Sequence, residues 1–281
     1  TNSVAFLKTE AVVIKTINLR EADKIITFFS KESGKIQGIA KGVRKIKARH
    51  GGKLDLFTRV NVIFFQKLEP MQGRGFPERH PLLTITQVDV LESFSQLKLE
   101  FPRIIGASYI AEFLNRVFEE YDATHPEVYG LVCETFRTLA TCEQIRNILP
   151  AFEIKLLANL GYAPALDYCV GCRRHLLPSA SPENSAAQKA PQWGFSSAAG
   201  GIVCSRCRPL KKDAIPITIA ALEQLRQLLK QPVRKSPDIA LSGQQYQEIK
   251  ALLTNHFRYH VGISLNTEAF VQKLRTAHLM E

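Results

Sequence analysis

The sequence predicts an α+β chain of several domains: a small N-terminal β-barrel, then an α-helical domain into which a four-cysteine metal unit is inserted. Three observations carry this. Short β-branched runs broken by turn residues fill the first 90 or so positions. After Phe94 the apolar spacing changes from two to between three and four. Two Cys-x-x-Cys pairs then stand 31 residues apart.

Five runs read as strands: Glu10 to Lys15, Lys24 to Phe29, Lys35 to Ala40, Val60 to Phe65 and Leu82 to Val88. Glu32-Ser33-Gly34 supplies the turn of a hairpin between the second and third. Five short strands suit a small barrel such as an OB-fold, although periodicity alone does not separate it from other small barrels. Further on, Ile110, Phe113, Leu114, Val117, Phe118 and Tyr121 fall on one helical stripe. A second helix is predicted from about Pro126 to Leu139 and a third from about Cys142 to Leu160, stopped by Gly161 and Pro164. Residues 177–192, rich in Ser, Ala and Pro, read as a loop. Leu222, Leu225, Leu228 and Leu229 mark another helix, and Tyr246, Ile249, Leu252 and Leu253 one more; Phe270 and Leu274 suggest a last short one. The domains drawn from this are 1–92 (barrel), 93–165 with 210–281 (helical), and 166–209 (cysteine unit).

Cys169, Cys172, Cys204 and Cys207 are the expected metal ligands, since each Cys-x-x-Cys turn brings two thiolates together and two turns complete the tetrahedron that zinc prefers. Four sulfurs leave no coordination position for water, so the expected Zn2+ is structural. Trp193, Phe195 and Ile202 are placed to pack on it. Cys133 and Cys142 read as inert thiols in helices, and His256 and His260 as surface or capping histidines, because neither an HExxH glutamate nor a third ligand accompanies them.

The formal charge of +11 is uneven, with ten Lys and six Arg against seven acids in residues 1–80. Such a block points to a polyanionic partner, nucleic acid foremost. The candidate contacts are Lys35 on the third strand, then Lys41, Arg44, Lys45, Lys47, Arg49, Lys53 and Arg59 in a stretch containing one acid, Asp55. Phe57, Phe64 and Phe65 are the aromatics available to stack on bases. Walker-type, Gly-x-Ser-x-Gly and deaminase signatures are absent, and the basic block lacks the clustered carboxylates of a magnesium nuclease, so no catalytic residue is expected. With no long apolar run and no signal-peptide pattern, a cytoplasmic protein without membrane contact is expected.

Glu21-Ala-Asp23, Gly34-Lys35, Ala40-Lys41-Gly42-Val-Arg44 and the run from Phe152 to Pro164, together with Cys169-x2-Cys172, resemble the RecO family across nearly the whole chain. The resemblance implies an OB-fold that binds single- and double-stranded DNA, and a nucleoid-associated role in repair and recombination without nucleotide hydrolysis. RecO-like proteins anneal complementary strands and, with RecR, help RecA load on DNA coated by single-strand-binding protein (SSB), whose C-terminal tail docks on the helical domain. For that docking the resemblance nominates Arg146, Lys155 and the apolar positions Phe152, Leu156 and Leu160. Segment 66–81 and the loop between the cysteine pairs are longer than the family's usual connections. The competing expectation is a zinc-containing adaptor that docks SSB and repair partners, with only weak tethering to nucleic acid.

Overall fold

The computed structural model describes residues 4–19, 21–44, 52–67, 82–176 and 193–263. Two compact units divide the chain after Thr141. In the first, β1 (Val4–Leu19), β2 (Asp23–Ser30), β3 (Gly34–Ala40), β4 (Arg59–Lys67) and β5 (Leu83–Glu92) close a barrel in the order β1-β2-β3-β5-β4. β1 pairs with β4 through Val4 to Val12 and with β2 through Ala11 to Leu19, the register shifting between Val13 and Lys15. β3 and β5 run parallel and the other pairings are antiparallel. This is the OB-type arrangement, and every predicted strand is present, β1 extended well beyond Glu10 to Lys15.

Alternation fills the barrel. On β3, Gly34, Ile36, Gly38 and Ala40 are buried and the residues between them are half-exposed. Val13, Ile26, Phe28, Val60, Val62, Phe64, Ile85 and Val88 complete the core, and Leu54 from the β3–β4 connection packs into it. Gly38 has no room for a side chain, since a Cβ would lie 2.7 Å from Phe64 Cε1 and 2.9 Å from Ile85 Cγ1.

The same unit holds α1 (Phe101–Val117) and α2 (Pro126–Thr141), so compactness extends it past residue 92. The apolar stripe drawn through Tyr121 overruns the helix: α1 stops at Val117, and Tyr121 sits in a turn at φ 62 whose N–H donates to the Lys35 carbonyl. Gly34 (φ +63) lies so close under Asp122 that a Cβ would sit 1.8 Å from its carbonyl oxygen. The β2–β3 turn therefore needs glycine for its dihedral angle and for the chain crossing it.

The second unit contains α3 (Ile148–Asn159), β6 (Trp193–Ser196), β7 (Gly201–Cys204), β8 (Ile215–Ile217), α4 (Ile219–Lys230) and α5 (Gly243–Val261). α3 begins six residues after the predicted start at Cys142. Pro150 explains the difference, because its ring would clash with the carbonyl of residue 146 if the helix ran through, whereas a proline is tolerated in a first turn. Gly161 ends the helix at φ +83 as predicted. The small sheet β7-β6-β8 was not foreseen. Phe270 and Leu274 lie outside the described residues, as does the loop 177–192. No helix among the described residues is long and apolar enough to cross a membrane.

His256 corrects the surface reading of the histidine pair. It is 1 % exposed, its ring edge-on to Phe195 of β6, and its Nε2 donates to the Tyr162 carbonyl at 3.0 Å. Burial, aided by His260 4.3 Å away and opposed by the Tyr162 bond, holds its pKa down at about 4. The imidazole is neutral when folded and takes up a proton more readily when unfolded, so its contribution is complete above about pH 6.5 and is lost as pH falls toward 4.

Urea melts between pH 7 and pH 4 should show this loss, on the order of 2 kcal/mol, and His256→Gln should remove most of it. In the barrel, Gly38→Ala should cost about 1–3 kcal/mol by the same melts, because the added methyl forces Phe64 and Ile85 apart.

Candidate nucleic-acid interface and metal centre

The basic stretch after β3 starts from a clasp. Asp23 at the head of β2 accepts the Gly42 N–H at 2.8 Å through Oδ1, and the Ala22 carbonyl accepts the Arg44 N–H at 3.1 Å. Gly42 takes the left-handed conformation (φ +66) that the turn requires. Glu21-Ala-Asp23 thus fixes the backbone of Lys41-Gly-Val-Arg44, and the Lys41 and Arg44 side chains are exposed at the root of the loop. Its far end is anchored too: Leu54 is in the barrel core, and Phe57, at φ 67, packs edge-on against Phe136 of α2 at 5.6 Å. Lys45, Lys47 and Arg49 lie outside the described residues.

Three other predicted contacts have partners inside the unit. Lys35 Nζ donates to the Asn115 carbonyl at 2.8 Å, and burial lowers its pKa. Lys53 Nζ reaches the Val88 carbonyl at 3.1 Å. Arg59 is held by Glu10 at 2.7 Å, by the Tyr129 hydroxyl at 3.3 Å and, more loosely, by Glu92 at 3.8 Å. The Glu10 carboxylate raises the Arg59 pKa above its usual range, and Arg59 in turn lowers that of Glu10. Arg137 of α2 completes the cluster through paired bonds to Glu92 at 2.9 and 2.7 Å.

Of the three aromatics drawn from the sequence, Phe57 and Phe64 are buried and only Phe65 faces outward. Phe6 was missed. It is 66 % exposed, faces Phe65 across the β1–β4 pairing, and meets it at 5.7 Å between ring centroids. Lys8 is exposed two residues along the same face of β1. Had β1 been extended upstream of Glu10, strand alternation from buried Val13 and Ala11 would have put Phe6 and Lys8 outside.

In the second unit the four predicted cysteines converge, their sulfurs all within 4.8 Å of one another. Gly171 makes the first turn tight, since a Cβ there would lie 3.0 Å from Cys207 Sγ. The Cys204 N–H donates to Cys169 Sγ at 3.3 Å. Burial opposes ionisation of Cys169, but this bond and those from the Cys172 and Gly171 backbone outweigh it and bring the pKa to about 6. Cys207 is pushed up to about 12 by burial and by the three neighbouring sulfurs. Four thiols this close cannot all ionise unaided, and a cation among them resolves the conflict, so the donor set fits a metal ion. Trp193, Phe195 and Ile202 lie buried on the adjoining strands, Trp193 opposite Cys204 and Phe195 opposite Ile202. Cys133 is buried in α2, and Cys142 is half-buried just beyond it.

The proposed docking residues separate. Phe152 and Leu156 are fully enclosed in the core of this unit, with α4 and α5 packed on α3, so that apolar face is interior and not a surface. Leu160 is half-buried at the end of α3, and Lys155 Nζ bonds the Leu229 carbonyl at 2.7 Å. Arg146 is exposed, its guanidinium 4.4 Å from the centre of the Tyr246 ring.

Residues 4–94 match the family described as Recombination protein O N terminal, and residues 99–269 match Recombination protein O C terminal. The chain belongs to the RecO family. Among curated relatives, the DNA repair protein RecO of Symbiobacterium thermophilum is 28 % identical over 274 residues, covering 98 % of this chain and all of that one. That of Caldanaerobacter subterraneus subsp. tengcongensis is 30 % identical over 270 residues, covering 96 % and 98 %. That of Roseiflexus sp. is 29 % identical over 268 residues, covering 95 % and 86 %. Two of the motifs that carried the RecO resemblance, Glu21-Ala-Asp23 and Ala40 to Arg44, are the two sides of the clasp.

Cys169→Ser or Cys204→Ser should reduce bound metal, measured by elemental analysis of the purified chain, and lower the melting temperature of the second unit. Barrel packing, followed by the near-ultraviolet signal of its aromatic core, should be unchanged.

Proposed function

We propose that this RecO-family chain is a non-catalytic DNA-repair mediator that binds single- and double-stranded DNA through the barrel and anneals complementary strands. With RecR it promotes RecA loading on SSB-coated single strands. The observation that carries this reading is the clasp, which holds exposed Lys41 and Arg44 at the root of a basic loop on an OB barrel carrying most of the chain's excess charge. A backbone pinned at the loop's root presents cations to phosphates at a lower ordering cost than a free loop would. Lys45, Lys47 and Arg49 follow in sequence and are assigned to the same contact, while Lys35, Lys53 and Arg59 serve the architecture of the unit. Phe6 and Phe65 form the outward aromatic pair on which unpaired bases stack. The metal is structural zinc, and the SSB tail docks around Arg146 and Tyr246.

The adaptor reading keeps one support: three of the eight basic residues assigned to DNA are occupied within the unit, which shrinks the expected contact surface. Annealing of two complementary oligonucleotides, each coated with SSB and without nucleotide, separates the two readings. Acceleration over the spontaneous rate is the expected result, and tight SSB binding without acceleration would leave the adaptor.

Replacing Lys41, Arg44, Lys45 and Lys47 together by Gln should weaken binding and flatten its salt dependence by up to ~0.7 log units per lost single-strand phosphate contact. Phe6→Ala should cost about 1–3 kcal/mol on single strands and far less on duplex, both read by fluorescence anisotropy.

A further inference from the structure

The charge count that made the first 80 residues stand out averages the remainder to near neutrality, and the structure shows that this average hides a second basic body. Between Asp167 and Asp213 the described residues, 168–176 and 193–212, span the cysteine turns and carry Arg173, Arg174, Arg206, Arg208, Lys211 and Lys212 and no acid. The flanking acids are engaged: Asp167 pairs with Arg226 of α4 at 3.1 Å, and Asp213 accepts from the Ser196 hydroxyl at 2.7 Å and the Ala198 N–H at 2.9 Å.

The two turns that carry the arginines are also joined. Arg173 and Arg174 leave the first cysteine turn, Arg206 sits inside the second, and the two turns are joined by sulfurs within 4.8 Å. Arg173, Arg174, Arg206 and Lys212 are exposed, whereas Arg208 lays its stem against β6, where a Cβ on Gly194 would meet Arg208 Cδ at 2.7 Å. Arg174, Arg206 and Lys212 have no ion pair or side-chain hydrogen bond among the described residues.

Two features argue against a merely solvating role. Four thiolates around a divalent ion leave two net negative charges, so six cations exceed what neutralises the centre by about four. Arg173 also holds φ at 60, a conformation that glycine adopts without cost, with its N–H on the Cys169 carbonyl at 2.8 Å and its guanidinium 5.0 Å from the centre of the Tyr168 ring. The turn keeps an arginine where a relaxed residue would suffice. Three of the four exposed cations are arginines, whose forked donors match phosphate oxygens in pairs.

We propose that the four-cysteine unit carries a second phosphate-binding surface, formed by Arg173, Arg174, Arg206 and Lys212, that takes a nucleic-acid backbone independently of the barrel loop. It rests on reading the chain as a nucleic-acid binder, and it gives one chain two places to hold two strands.

The test uses the full chain and a labelled single-stranded oligonucleotide of about 30 nucleotides titrated at several salt concentrations. Arg174→Gln, Arg206→Gln and Lys212→Gln together should lower the salt slope by about 2, at ~0.7 per contact, additively with Lys41→Gln and Arg44→Gln. Energy transfer between two non-complementary oligonucleotides bridged by one chain should fall with either set. An unchanged slope in a variant that keeps its metal and melting temperature would overturn the proposal. If the triple variant loses metal, Lys211→Gln with Lys212→Gln, beyond both turns, decides: a slope lower by about 0.7 or more supports the surface and an unchanged one overturns it. A poly-glutamate peptide whose binding is lost while oligonucleotide binding persists would assign the surface to an acidic protein segment and overturn the proposal too. Loss confined to the cysteine-unit variants, with the Lys41 and Arg44 pair silent, would instead remove the barrel reading and leave this one standing.

Discussion

Strand β1 has to serve two neighbours, β4 along its first half and β2 along its second, and the closure of the barrel depends on how it does so. A straight strand of sixteen residues could not remain paired to both. The register shift between Val13 and Lys15 lets it bend, and Ala11, Val12 and Val13 at the bend are wholly buried. Around that bend, Val13 takes an N–H bond from Phe57 and gives one to Thr58, which fixes where the long β3–β4 connection returns. The opposite end of that connection is fixed by the Asp23–Gly42 clasp, so a stretch that looks like free loop is tethered at both ends.

The second unit meets a different constraint. Its sheet has only three short strands, too little to close a core by itself. Two things reinforce it: the sulfur cluster, which ties the turn before β6 to the end of β7, and α5, whose His256 and Phe257 are buried on one face. The pair between buried Glu153 and half-buried Lys250, at 2.6 Å, joins α3 to the same helix. A neutral His256 and a paired Glu153 are how this unit carries ionisable groups inside without leaving a bare charge there.

Charge alone marked a block of basic residues; packing sorts it into cations held by carbonyls and carboxylates and cations presented to solvent. Lys35 and Arg59 look like contact residues in the sequence because nothing there shows Asn115 or Glu10 beside them. Lys41 and Arg44 stand exposed at a turn that backbone N–H bonds to Asp23 and Ala22 hold in place.

The sequence by itself determined what depends on local periodicity and spacing: five strands, the change to helices after Phe94, the stop at Gly161 and the convergence of four cysteines. These are legible because each follows from neighbours within a few residues, or, for the cysteines, from a ligand geometry that tolerates any intervening loop. Tertiary structure alone decided the rest. The true length of β1 waited on two different partners, the burial of His256 on Phe195 about sixty residues upstream, and the enclosure of Phe152 and Leu156 on helices that come later in the chain. In each case the deciding contact is distant in sequence, and a pattern read along the chain contains no term for it.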